Sequence, residues 1–99
     1  MGLFGRRRGR RDANVEHLER FVATRSGVEA YLEPRTNVTP ATVILIAADG
    51  EWTRRPLLPR DAFALGNRLA LPVYEVARLG YPQRMRDWNA AQRVQRAPR

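Results

Sequence analysis

Hydrophobic positions fall into distinct rhythms along this chain, and each rhythm predicts an element. Val43, Ile44, Leu45 and Ile46 stand in an unbroken row. β-Branched side chains suit a pleated strand, and because neighbours point to opposite faces the row is apolar on both. It predicts a central strand over Thr42–Ala48 that needs cover above and below. Asp49-Gly50 follows, a pair that tolerates positive φ at both centres of a two-residue type I′ turn. Such a turn sets Ala48 opposite Glu51, Ala47 opposite Trp52 and Leu45 opposite Arg54. Pro56, with no N–H to donate, ends the return strand or confines it to an edge.

Val28–Glu33 alternates, with Val28, Ala30 and Leu32 on one face and Glu29, Tyr31 and Glu33 on the other. This is the pattern of a half-covered strand, stopped by Pro34. Val15, Leu18, Phe21 and Val22 recur at helical spacing and predict a helix from Asp12 or Asn14 to about Arg25, ended by Ser26-Gly27. A second helix opens at Pro59, with Asp61 in its first turn, and runs to about Ala70. Phe63 and Leu69 are its expected buried positions, and Gly66 marks a close packing contact. Val73–Leu79 reads as a fourth strand, and Gln83–Arg96, carrying Met85 and Trp88, as a weak helix. The order α-β-β-β-α-β predicts a single α+β domain. A mixed four-stranded sheet carries helices on both faces, and the link from third to fourth strand is long enough for a right-handed parallel crossover.

Composition narrows the chemistry. The chain has 99 residues, no cysteine and one histidine, His17. Disulfides, thiolate metal sites and histidine-based metal sites are therefore excluded. No apolar run approaches membrane-spanning length. MGLFGRRRGRR lacks the apolar stretch of a secretory signal, and Arg6 stands where a myristoylation pattern wants Ser or Thr. Asn37-Val38-Thr39 spells a glycosylation sequon that a chain outside the secretory route cannot use. The expected location is cytoplasmic.

The net charge of +8 is unevenly placed. All 18 basic residues are arginine, which a high-GC coding bias explains most simply. Residues 1–11 hold five arginines and no acid, +5. Residues 82–99 hold five arginines and Asp87, +4. Residues 12–81 hold eight arginines against nine acids, −1. The expected organisation is a disordered Gly/Arg-rich tail over 1–11, a small α/β domain over 12–81, and a basic helix or tail over 82–99.

VEAYLEPRT, DGEWTRRPL and GYPQRMRDWNAAQR, within Glu16–Arg93, resemble segments of a family of small uncharacterised actinobacterial proteins. Gly80–Asn89 is the most specific piece. The resemblance implies a folded domain and no mechanism. Members sometimes carry an oxidoreductase label, yet no G-x-G-x-x-G, flavin or haem ligand pattern or reactive cysteine stands here. The element order also resembles nuclease-like αβββαβ folds. That likeness implies a metal held by an acid early on the second strand and an acid-x-Lys late on the third. Thr42 and Arg54-Arg55 occupy those regions, and Glu51-Trp52-Thr53 lies at the wrong end of the strand without a lysine. The implied protein is a catalytically inactive relative.

Other candidate chemistry is sparse. Glu29 and Glu33 lie about 13 Å apart along a strand, too far for paired glycosidase acids, and read as surface charge. His17 reads as a rim residue and Ser26 as part of a helix stop. Trp52 suits either core or a stacking platform beside Arg54. Tyr81, Arg84, Arg86 and Trp88 either form an aromatic-basic patch or fold back with Tyr81 and Trp88 on the sheet. The expectation is a non-enzymatic protein without cofactor or metal. It would engage nucleic acid, RNA or a ribosome-like surface, without sequence readout. The candidate anion-binding residues are Arg6, Arg7, Arg8, Arg10, Arg11, Arg84, Arg86, Arg93 and Arg96. The alternatives are an adaptor that holds an acidic protein partner through Tyr81–Trp88, and attachment to anionic membrane surfaces through Leu3, Phe4 and the arginines that follow.

Overall fold

A computed structural model describes the backbone of residues 2–96 and the side chains of residues 9–95. The elements are α1 (Gly2–Thr24), β1 (Glu29–Glu33), β2 (Thr42–Ile46), β3 (Trp52–Pro56), α2 (Pro59–Leu69), β4 (Val73–Glu75), α3 (Val76–Leu79) and α4 (Gln83–Arg96). The strands form one mixed sheet in the order β3-β2-β1-β4. β1, β2 and β3 make an antiparallel meander, and β4 runs parallel to β1. This is the α+β domain that the alternation of apolar positions predicts.

Two apolar clusters lie on opposite faces of the sheet, so the domain has three layers. Leu18 and Phe21 of α1 and Ala62 and Leu65 of α2 meet Ala30, Leu32, Val43 and Leu45 on one face. Met85 of α4 meets Tyr31, Ile44 and Ile46 on the other. The row Val43–Ile46 is therefore divided between the layers, and all four side chains are inaccessible to solvent. At about 25 cal/mol per Å² of apolar surface, each contributes roughly 1.5–3 kcal/mol.

The hairpin differs from the two-residue turn expected of Asp49-Gly50. Ala47 N–H donates to Glu51 O at 2.8 Å and Gly50 N–H to Ala47 O at 2.9 Å, so Ala48, Asp49 and Gly50 form a three-residue loop. Only Gly50 takes a positive φ there, at 94°. This is a type I turn followed by a left-handed glycine. The register moves by one residue, to Ile46 opposite Trp52, Leu45 opposite Thr53 and Ile44 opposite Arg54. A one-residue slip exchanges the faces of a strand, so Trp52 sits on the α4 side and not with Ala47. Leu57 N–H donates to Ala41 O, which by antiparallel alternation turns the Pro56 nitrogen to the free edge.

Other boundaries are also corrected. Helical backbone extends through Gly2–Arg11, the run expected to be disordered. Arginine is a good helix former, and a helix already nucleated over Val15–Val22 propagates at low cost. β4 stops at Glu75 because its partner β1 ends one residue beyond Leu32, which pairs with Glu75; Val76–Leu79 then turns into α3. In α2, Ala62, Leu65 and Gly66 are buried and Leu69 is partly buried, whereas Phe63 lies about 100° around the helix and is 46% exposed. Gly66 is the close contact expected of it, since a Cβ there would stand 2.5 Å from Val73 Cγ2.

Candidate nucleic-acid interface

The α4 face of the sheet carries both charged side chains of β1. Alternation along β1 sends Glu29, Tyr31 and Glu33 there together. Glu33 accepts hydrogen bonds from Thr42 Oγ1 (2.6 Å), Arg54 Nε (2.7 Å), Arg54 Nη2 (2.9 Å) and the Tyr81 hydroxyl. Burial works against its charge, but the donors from Arg54, Thr42 and Tyr81 outweigh it and hold the carboxyl below its usual range. Burial, and then the bond to Glu33, push the Tyr81 hydroxyl up. Thr42 and Arg54, the positions singled out by likeness to nuclease folds, thus meet on one carboxylate, where a guanidinium supplies the positive charge. Among the described residues no three His, Cys, Asp or Glu side chains gather as a metal-binding group.

Arg84 fastens the start of α4. Its Nε donates to Ala47 O (2.9 Å), and its Nη2 to Glu29 Oε1 (2.6 Å) and Ile46 O (3.3 Å). An arginine expected to contact nucleic acid is thus occupied within the fold, because the helix that carries it packs on the sheet. The expected basic segment 82–99 is accordingly part of the body as far as the end of α4. Trp52 Nε1 donates to Asn89 Oδ1 at 2.8 Å, and Arg54 lies over the Trp52 ring at 5.1 Å. Trp88 is half-buried, its Cβ beside the Gly50 turn. Tyr81, Trp88 and Trp52 therefore serve the α4 layer. Glu29 and Glu33 stand at opposite ends of β1, and each has its own cation, Arg84 of α4 and Arg54 of β3, pairings between elements that residue spacing does not carry.

On the opposite face, the Arg55 guanidinium can only donate, so His17 Nδ1 accepts from it (3.3 Å) and Nε2–H donates to Thr53 Oγ1 (2.6 Å). Burial, followed by the positive charges of Arg55, Arg20 and Arg25, lowers the His17 pKa and keeps the ring neutral. His17 is a polar staple between α1 and β3, at the rim of a small cleft of about 360 Å³.

Of the exposed cations among the described residues, those expected to meet anions stand on two helices. Arg10 and Arg11 project from α1, and Arg86 and Arg93 from α4. The side chains of Arg6, Arg7, Arg8 and Arg96 lie outside the described residues; their backbone belongs to α1 and α4. Arg60 at the start of α2 is exposed as well, and the sequence reading missed it; the signal was its place beside the apolar pair Leu57-Leu58. Arg10, Arg11 and Arg60 rim a cleft of about 720 Å³ whose floor is Pro40, Ala41, Pro56, Leu57 and Leu58. Asn14 and Asp61 complete its wall, and Asn14 Nδ2 donates to Pro56 O at 2.9 Å. No helix among the described residues is long and apolar enough to cross a membrane. No family of known proteins, no curated protein and no solved structure matches this chain.

Proposed function

We propose that this protein is a non-enzymatic, cytoplasmic, basic domain that binds nucleic acid through its phosphates without reading sequence. The observation that carries the reading is the division of α1. Its buried and half-buried apolar contacts with the sheet come from Val15, Leu18, Phe21 and Val22, while its helical backbone continues through Gly2–Arg11 with five arginines and no acid. At about 1.5 Å rise per residue, Arg6–Arg11 spans only about 8 Å. Cations that dense displace counterions condensed on a polyphosphate chain, and their release drives binding. Guanidinium groups also meet phosphate oxygens two at a time. α1 and α4 cover opposite faces, so Arg86 and Arg93 form a second, separate contact surface. The nucleic-acid reading is favoured over an adaptor by Tyr81, whose hydroxyl donates to Glu33 and whose ring packs on the sheet.

The test is a salt titration of nucleic-acid binding by the full chain and by a variant with Arg6, Arg7, Arg8, Arg10 and Arg11 all changed to Gln. Five lost phosphate contacts, at about 0.7 to 0.9 each, should reduce the log–log salt slope by roughly 3.5 to 4.5. Equal affinity and slope for the two proteins would overturn the reading.

A further inference from the structure

We propose that the cleft between α1, the Pro40-Ala41 approach to β2 and the β3–α2 connection seats a single-stranded nucleic acid. Arg10, Arg11 and Arg60 lie on its phosphates, and the exposed Pro40 and Leu58 of the floor lie against an unpaired base. The inference rests on the nucleic-acid reading above and adds the place and the strandedness.

Three observations lead there. The first is charge: three arginines and a single acid, Asp61, line the cleft. Asp61 has its own structural reason, since it stands in the first turn of α2 where the helix dipole favours a negative side chain. Among the described residues Arg10 and Arg60 have no carboxylate within ion-pair distance, and Arg11 has only Asp12 at 3.9 Å. Arg25, Arg54, Arg68 and Arg84, by contrast, each hold a carboxylate elsewhere in the fold. The second is the floor. Leu58 leaves 53% of its surface in water although the sheet faces bury their aliphatic side chains almost completely. A duplex hides its base faces and presents phosphates, which would gain nothing from such a floor. A single strand offers flat apolar faces that do. The third is continuity. Arg10 and Arg11 stand on the same helix whose backbone carries Arg6, Arg7 and Arg8 within its preceding turns, so the cleft opens at the arginine-rich end of α1.

Fluorescence anisotropy of the full chain tests this, with a labelled mixed-sequence oligonucleotide of about a dozen nucleotides, the same oligonucleotide annealed to its complement, and phosphatidylserine vesicles as a third probe. The variants are Arg60→Gln and Leu58→Ser, both at exposed positions, with Arg93→Gln as the comparison and thermal melts to verify folding. The expected result is tighter binding of the single strand than of the duplex. Arg60→Gln should weaken single-strand binding several-fold and reduce its salt slope by about 0.7. Leu58→Ser should weaken the single strand several-fold and spare the duplex. Equal or tighter duplex binding overturns the inference, as does unchanged binding in both cleft variants while the five-arginine variant still loses affinity; that pattern keeps the general reading. No salt-dependent binding of either oligonucleotide by the natural chain overturns the general reading itself. Preferential binding to the vesicles, lost on Leu58→Ser, replaces the single strand with a membrane surface.

Discussion

On one face of the sheet Leu18, Phe21, Val43, Leu45 and Leu65 meet in a wholly apolar cluster. On the other, Tyr31, Ile44, Ile46 and Met85 are flanked by two hydrogen-bonded groups, Glu29 with Arg84 and Glu33 with Arg54 and Tyr81, the second of them a net around one carboxylate. The first arrangement is held by burial, which has magnitude but no direction. The second depends on distance and angle, and it specifies where α4 lies. Arg84 grips two carbonyls of β2 and its turn, Gly50 admits the α4 backbone, and Asn89 accepts from Trp52. One layer supplies most of the stability and the other supplies most of the geometry.

The sharpest way to break that comparison is Leu45→Ala. Leu45 is fully buried, and truncation there should cost about 2–5 kcal/mol in a urea unfolding series. A loss no larger than that of the α4-face changes would remove the distinction between the layers. Gly50→Ala comes next. It combines a φ of 94° with a Cβ placed 2.0 Å from Arg84 O. Backbone strain alone is worth about 1–3 kcal/mol, and the collision should lift α4, shifting the fluorescence of Trp52 and Trp88 to the red while α1 and α2 stay folded by circular dichroism.

Glu33→Gln keeps the shape of the net and removes its charge. Because Arg54 is partly exposed, the expected loss is only about 1–2 kcal/mol, measured at neutral pH. The variant also sharpens the pH dependence. The Glu33 carboxyl is held below its unfolded value of about 4.5, so its contribution is present above that value and is lost as pH falls through the folded pKa. Glu33→Gln should flatten the acid limb. His17 acts earlier. Its folded pKa lies below 6.5, so the unfolded chain takes up the proton first, and stability declines as pH falls from about 6.5 towards that lower pKa. His17→Gln should remove this upper step in melts run across pH 5–7.

The smallest expected change is a gain. Ala70 closes α2 with a φ of 57°, and Leu71 N–H donates to Gly66 O at 2.8 Å. A left-handed closing position favours glycine. Ala70→Gly should raise stability by about 0.5–1 kcal/mol, seen as a higher melting temperature with no change in either face.

Much of the fold was legible because its signals are local and redundant. The alternation of Val28–Glu33 assigned three residues to each face, and the structure keeps that division. The unbroken apolar row of Val43–Ile46 called for cover on both sides, which α1, α2 and α4 provide. The site was less legible. Arg84 and Arg86 read alike in sequence, yet one is bound into the fold and the other is exposed. The difference comes from helix phase: Met85 turns towards the sheet, and Arg84 and Trp88, four residues apart, share the flank nearest the Gly50 turn. Arg60 was overlooked because its partners in the cleft, Arg10 and Pro40, are distant along the chain.

By itself the sequence determined the types of the three meander strands and of the helices over Val15–Val22, Pro59–Leu69 and Gln83–Arg96, the central place of β2, and the concentration of arginine in the first eleven residues. Periodicity and composition are properties of neighbours along the chain, and no folding is needed to read them. Tertiary structure alone decided the hairpin register, the hydrogen bonds that tie Arg84 to β2 and Glu29, the pairing of Glu33 with Arg54 and Tyr81, and the meeting of Arg10, Arg11 and Arg60 around one apolar floor. Each of these depends on which of several near-equal local choices, such as two residues or three in a turn, lets distant side chains fill space and satisfy their hydrogen bonds together.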